Sequence, residues 1–297
     1  MRVYLIFLGL LLFAGCKPES DTNHVDMKSL SERIDDLLST YPEVTVGMSL
    51  RDEQTGVSYD KNPGRLFHAA STMKVPVMIE IYRQAALGRF SLDDELAVVN
   101  SFHSIVDSSL YKIEDDSDDA IYTKLGQQMS IEDLVFQMIT VSSNLATNLL
   151  IDFVSADSVQ ATAKAMGVEK MRVLRGVEDL KAYDLGLSNS TTAADLALLL
   201  TALRDGKAVS VEADMQMVET LKAQAFNEMI PAGLPANTAV AHKTGWITAI
   251  HHDAGIVYPE GGSPYVLVIL IEGINDHDAS GKLGAEITNL IHKAIRG

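Results

Sequence analysis

The chain has 297 residues, 47% of them apolar, which is enough for one large domain or two modest ones around a substantial core, so disorder is excluded as a description of the whole. Twenty-four basic residues stand against forty acidic ones, a formal net charge of -16. That excess of negative charge argues against a nucleic-acid surface and against attraction to anionic lipid headgroups.

The first element reads as an export signal. Arg2 precedes an apolar run from Val3 to Phe13 that is too short to span a bilayer as a helix. The run ends in Phe13-Ala14-Gly15-Cys16, and small residues before a cysteine resemble the bacterial lipoprotein processing site, where cleavage precedes the cysteine and lipid is added to it. Cys16 is the only cysteine, so it has no intramolecular disulfide partner and lipidation explains its position. A plain secretory signal and a short uncleaved anchor are the alternatives. The expectation is a signal peptide over 1–15, a tether over 16–24 in which Lys17 to Asn23 is polar and contains Pro18, and a domain over 25–297 held on the periplasmic side or at the cell surface by lipid on Cys16.

Met27 to Leu38 places Leu30, Ile34, Leu37 and Leu38 at helical spacing, and Pro42 follows the stop. Val44 to Leu50 alternates as a strand, and Val57 to Tyr59 returns beside it after a turn over Arg51 to Gly56. From Leu66 to about Ala225 the periodicity is predominantly helical, with capping patterns at Ser130-Ile131-Glu132-Asp133 and Thr192-Ala193-Ala194-Asp195. The acidic stretch Glu114 to Asp119 reads as a solvated loop, since it lacks the ligand spacing and glycine of a calcium loop. Strands return at Thr238 to Lys243, Ala254 to Tyr258 and Tyr265 to Glu272, and Ala279 to Ile295 closes as an amphipathic helix. The fold class is therefore α/β (α+β): an antiparallel sheet built from both chain ends (25–65 plus 235–297), flanked by helices, with a large helical insertion over 66–234.

Three short motifs carry chemistry. In Ser71-Thr72-Met73-Lys74 the spacing of about one helical turn puts hydroxyl and amine on one face, and a lysine made neutral by burial can take the serine proton. Ser142-Ser143-Asn144 ends the apolar helix Leu134 to Val141, where Ser142 can relay a proton and the Asn144 amide can donate and accept; helix capping is the plainer reading. Lys243-Thr244-Gly245, on or just after a late strand, offers a fixed positive charge for an anionic substrate, and its glycine lets another backbone approach.

Each motif is common alone, but in this order and spacing the set resembles the penicillin-recognising serine enzymes, and within them the class A β-lactamases, over nearly all of the chain beyond the signal. The resemblance implies that Ser71 is the acylated nucleophile and Lys74 its proton acceptor, and that Ser142 passes a proton to the departing ring nitrogen. It further implies that Asn144 binds the substrate's side-chain amide, that Lys243 and Thr244 hold its carboxylate, and that the backbone N–H groups of Ser71 and Trp246 form the oxyanion hole beside Gly245. Trp246 is the sole tryptophan, and its indole serves equally as a cleft wall or as packing.

The family pattern is broken in two places. Ser143 replaces the usual aspartate of the triplet. In Arg175-Gly176-Val177-Glu178-Asp179-Leu180-Lys181, Glu178 stands at about the right distance beyond Ser142 to activate the deacylating water, but Lys181 and Ala182 occupy the places of the family's Leu-Asn pair. Pairing of Glu178 with Arg175 is the structural alternative, and Asp179, Asp184 and Asn189 are substitutes in a rearranged loop. His251-His252-Asp253 and His242 lack the spacing of zinc hydrolases, and neighbours on a strand point to opposite faces, so no metal and no cofactor is expected. The expected activity is hydrolysis of a β-lactam by a monomer. The alternatives are a D-alanyl-D-alanine peptidase, penicillin-binding protein or related serine hydrolase that releases its acyl group slowly, and a non-catalytic lipoprotein that binds cell-wall peptide.

Overall fold

The computed structural model describes residues 26–297, and the expected signal peptide, Cys16 and the tether lie outside the described residues. The main sheet has five strands: β1 (Thr45–Asp52), β2 (Val57–Lys61), β3 (Ala239–Ile247), β4 (Ile250–Tyr258) and β5 (Tyr265–Glu272). All neighbours are antiparallel, in the order β2-β1-β5-β4-β3. Strands from the two ends of the chain meet at the β1–β5 pair, where Met48 lies opposite Ile269. Among the described residues eight helices of ten residues or more accompany the sheet: α1 (Met27–Ser39), α2 (Lys74–Ala86), α3 (Ile131–Thr140), α4 (Asn144–Val154), α5 (Ala156–Ala165), α6 (Ala193–Arg204), α7 (Val211–Lys222) and α8 (His277–Arg296).

Strand periodicity divides the interior in two. Along β5, Val266, Val268 and Leu270 enter the core shared with the inserted helices, whereas Tyr265, Leu267, Ile269 and Ile271 enter a second core with α1 and α8. A strand covered on both faces reads as one continuous apolar run, as Tyr265 to Ile271 does. In α8, Leu283, Ile287, Ile291 and Ile295 recur every fourth residue and form its buried face, each worth roughly 1.5–3 kcal/mol of transfer free energy.

Two expectations are corrected. The segment between α2 and α3 is largely non-helical, with two small ribbons pairing Glu95–Ala97 with Gln128–Ser130 and Phe102–His103 with Leu110–Tyr111. Its buried residues Val98, Phe102, Ile113 and Ile121 enter the core singly, from irregular backbone, a short ribbon or a single turn rather than from one helix. The late strands are also longer than the apolar pattern shows. β3 continues through Lys243-Thr244-Gly245 to Ile247 and β4 begins at Ile250, because Thr244 opposite Asp253 and Gly245 opposite His252 extend the ladder to a two-residue turn at Thr248-Ala249. Polar side chains conceal a strand whose backbone pairing is complete.

Candidate active site

Ser71 lies on a single 3-10 turn, Ala70–Met73, that runs directly into α2, and Lys74 is the first residue of that helix. Ala70 is held at φ +43°, with its N–H donated to His68 Nδ1 at 3.0 Å. The turn packs against β3 so closely that a Cβ on Gly245 would stand 2.9 Å from the Ser71 nitrogen and 3.2 Å from the Ala70 Cβ. Glycine is required there by the approach of the two backbones.

Lys74 is fully buried, and its Nζ donates to the Ser142 carbonyl at 2.6 Å, Ser142 Oγ at 3.1 Å and Asn144 Oδ1 at 3.0 Å. Burial lowers its pKa to about 7, against the opposing pull of Asp116 and Glu178. Lys243 is also fully buried; its Nζ donates to the same Ser142 Oγ at 3.1 Å and to the Thr244 carbonyl at 3.0 Å. Burial, and then the neighbouring Lys74, depresses Lys243 well below the ordinary lysine value. One hydroxyl thus bridges two desolvated amines. Ser142 itself sits at φ +61°, a left-handed conformation held between the end of α3 and the start of α4.

The loop carrying Glu178 is assembled by side chains from elsewhere. Asn148 of α4 grips the Val177 peptide from both sides: its Oδ1 accepts the Val177 N–H at 2.6 Å, and its Nδ2 donates to the Val177 carbonyl at 3.0 Å. A Cβ at Gly176 would collide with that Asn148 oxygen. Glu178, at φ +60°, accepts from Asn144 Nδ2 at 2.8 Å through Oε1, and from the Glu114 and Asp115 N–H groups at 3.1 and 3.5 Å through Oε2. Burial outweighs these hydrogen bonds and raises its pKa. A carboxylate offers about four lone-pair sites, so Oε1 keeps one for a water.

The acidic stretch stays largely solvated, with Glu114, Asp115, Ser117 and Asp119 exposed, but Asp116 and Asp118 depart from that reading. Asp116 caps α4, accepting the N–H groups of Asn144 at 2.8 Å and Leu145 at 2.9 Å, and Asp118 is buried at the start of a short turn. A carboxylate against a helix N-terminus is favourable, and Asp116 supplies beside the triplet the negative charge that Ser143 lacks. Ser143 is the N-cap of the same helix, its Oγ accepting the Ala146 N–H at 3.2 Å. Nothing in the sequence around residue 116 links it to residue 144. Asn148 is one helical turn beyond Asn144, the one available signal for it.

The other expected partners are used structurally. Arg175 donates to the Leu187 and Gly176 carbonyls, and among the described residues no ion pair joins it to Glu178. Asp179 accepts from Ser104 Oγ and the Ile105 N–H, both at 2.9 Å, and Asn189 bonds the Leu174 and Arg175 backbone, whereas Asp184 is exposed. His251 and His252 do point to opposite faces: His252 reaches the His68 carbonyl at 2.9 Å, and burial lowers its pKa to about 4, while His251 meets Ser280 of α8. His242 pairs with Asp253 at 2.8 Å, and Asp253 also accepts the Ile230 N–H.

Ser71, Ser142, Asn144, Glu178, Thr244 and Trp246 all line one cleft of about 990 Å³, with Lys74 and Lys243 buried behind it. Trp246 is 53% exposed at its rim. The model of the β-lactamase enzyme family matches residues 29–295. The β-lactamase of Rhodobacter capsulatus is 26% identical over 253 residues, 84% of this chain and 82% of that protein. Among solved structures, the β-lactamase of Sphaerobacter thermophilus is similar with a TM-score of 0.77 at 26% identity, covering 91% of this chain and 97% of that one. PBP-A is similar with a TM-score of 0.79 at 25% identity, covering 90% and 96%. With the family match spanning nearly every described residue and the fold shared with solved members, the chain belongs to the β-lactamase enzyme family, as a class A β-lactamase-like serine hydrolase.

Proposed function

We propose that this chain is a serine β-lactamase whose acyl-enzyme forms on Ser71 and confers antibiotic resistance when it is hydrolysed. The observation that carries the reading is the Ser142 hydroxyl shared by Lys74 and Lys243, both 3.1 Å away, with Lys74 brought to a pKa of about 7. A lysine near that value is half neutral at neutral pH and can accept the Ser71 proton as Oγ bonds the lactam carbonyl carbon. The carbonyl oxygen takes the negative charge beside the Ser71 and Trp246 N–H groups. Collapse breaks the ring C–N bond, and the nitrogen takes a proton from Ser142, which is resupplied from the lysines. Lys243 and Thr244 attract the substrate carboxylate and the Asn144 amide contacts its side chain. Release then needs a water: Glu178 removes its proton, the water oxygen attacks the acyl carbon, and Ser71 Oγ leaves with a proton returned to it.

A second reading, a D-alanyl-D-alanine peptidase or penicillin-binding protein with slow release, is favoured by the three hydrogen bonds that already engage Glu178 and by the likeness to PBP-A, a point mutant of which is recorded as an acyl-enzyme complex with penicillin G. Intact-mass measurement after mixing with a chromogenic cephalosporin separates the two. Fast turnover with no accumulated adduct supports the β-lactamase. A stable adduct on the unmutated protein overturns it in favour of the second reading, and no adduct with any β-lactam leaves a binding lipoprotein or an esterase. Anchoring through Cys16 belongs to the same proposal: Cys16→Ser protein should move from the membrane fraction to the soluble exported fraction, and retention in the membrane would contradict lipidation.

A further inference from the structure

Beyond the lysines, the cleft holds a second polar cluster that the proposed reaction does not use: Glu228, His251 and His277. They come from three separate elements, the segment before β3, the start of β4 and the first residue of α8. His251 Nε2 and His277 Nε2 each stand 3.4 Å from the same oxygen, Glu228 Oε1. All three ligand atoms lie within 4.8 Å of one another, and this is the only such group among the described residues.

One His251 tautomer satisfies both hydrogen bonds of Ser280 Oγ. Ser280 Oγ donates its proton to the His277 carbonyl at 2.9 Å, so it can only accept from His251 Nδ1 at 2.8 Å. In the neutral ring the proton is therefore on Nδ1, and Nε2 carries a lone pair. That nitrogen is buried, has no hydrogen-bond partner and faces a carboxylate oxygen. Lone pair against carboxylate is repulsive in a desolvated setting unless a positive species stands between them.

We propose that Glu228, His251 and His277 form a binding site for a divalent transition-metal ion of the zinc class, with its fourth position open to the cleft beside Trp246. Two ligand atoms on a tetrahedral zinc ion, at bonds of 2.0–2.1 Å, are about 3.3 Å apart, close to the spacing of both imidazole nitrogens from Glu228. A metal-bound imidazole that donates its other N–H to an oxygen is the usual support for such a ligand, and Ser280 provides it. The His251 and His277 rings are stacked, with centroids 4.4 Å apart and planes 24° apart, so His277, partly exposed on the first turn of α8, must turn its ring outward to complete the set. His277 also meets the edge of Trp246, with ring centroids 5.2 Å apart, so the ion ties the indole at the cleft rim to the cluster.

The test uses the full chain stripped of metal by a chelator, with Zn2+ or Co2+ alone as the probe. The expected result is one equivalent of Zn2+ bound in competition with a chromophoric chelator, the visible spectrum of tetrahedral Co2+, and quenching of the single tryptophan, Trp246, by Co2+ at the same stoichiometry. His277→Ala and Glu228→Gln should each abolish the Co2+ spectrum. Ser280→Ala keeps all three ligands and should weaken binding by roughly 10–100-fold. Thermal unfolding in chelator checks that each variant is folded; Zn2+ should raise the melting temperature of the unmutated protein and leave that of His277→Ala unchanged. No saturable binding, or one site that survives both His277→Ala and Glu228→Gln, overturns the proposal; the first result would leave a proton as the species between His251 and Glu228.

Discussion

The two halves of the site are built differently. Ser71, Lys74 and Lys243 sit at the start of α2 and within β3, and Ser142, also at positive φ, sits in the short link between α3 and α4, where two buried amines share its hydroxyl. Glu178 sits on irregular backbone at positive φ, held by side chain to backbone contacts from Asn148 and by the Glu114 and Asp115 peptides. The first half is positioned by helix and sheet packing, which is cooperative. The second depends on a few individual hydrogen bonds, each worth about 0.5–1.5 kcal/mol net. In the proposed reaction, attack is thus the part that the fold protects, and release is the part that small sequence changes can tune.

Ser71→Ala would break both halves at once: turnover of a chromogenic cephalosporin should fall by roughly 10⁴-fold or more, with no adduct by mass spectrometry. Glu178→Gln sharpens the contrast. Turnover should fall by roughly 10²–10⁴-fold while a burst of one equivalent persists, so that the adduct accumulates; loss of the burst as well would show that the two halves are not separable. The Lys74 value gives a pH signature for the first half alone. In the proposed reaction the neutral amine is the base, so the single-turnover acylation rate should rise about tenfold per pH unit below about 7 and level above it. The same depressed pKa makes the unfolded chain bind the proton more readily between about 7 and 10.5, so the buried amine's contribution to unfolding free energy should increase with pH across that window, measured by urea unfolding. Asn148→Ala probes the second half most gently: it leaves the Val177 peptide without its partner, which should cost about 1–3 kcal/mol of stability and slow release more than the acylation burst.

Much of the first half was legible in the residues. A serine and a lysine three apart before an apolar run, a Ser-Ser-Asn triplet at a helix end and Lys-Thr-Gly on a late strand are local patterns, set by helical and strand periods that a single sequence displays. The sheet from both chain ends was legible for the same reason, since β5 and α8 carry unbroken apolar periods. What was not legible was the use of one member of the acidic stretch: charge density implies solvent, which Glu114, Asp115 and Asp119 do meet, whereas the fold uses Asp116 on the end of α4.

By itself the sequence determined which groups are chemically able to act and which segments repeat with a helical or strand period, because both are properties of near neighbours in the chain. Only the tertiary structure decided which groups meet. Asp116 and Asn144, Asn148 and Val177, and the three side chains Glu228, His251 and His277 are brought together by packing between elements distant in sequence, and burial there, absent from any local pattern, sets the protonation of Lys74 and Glu178.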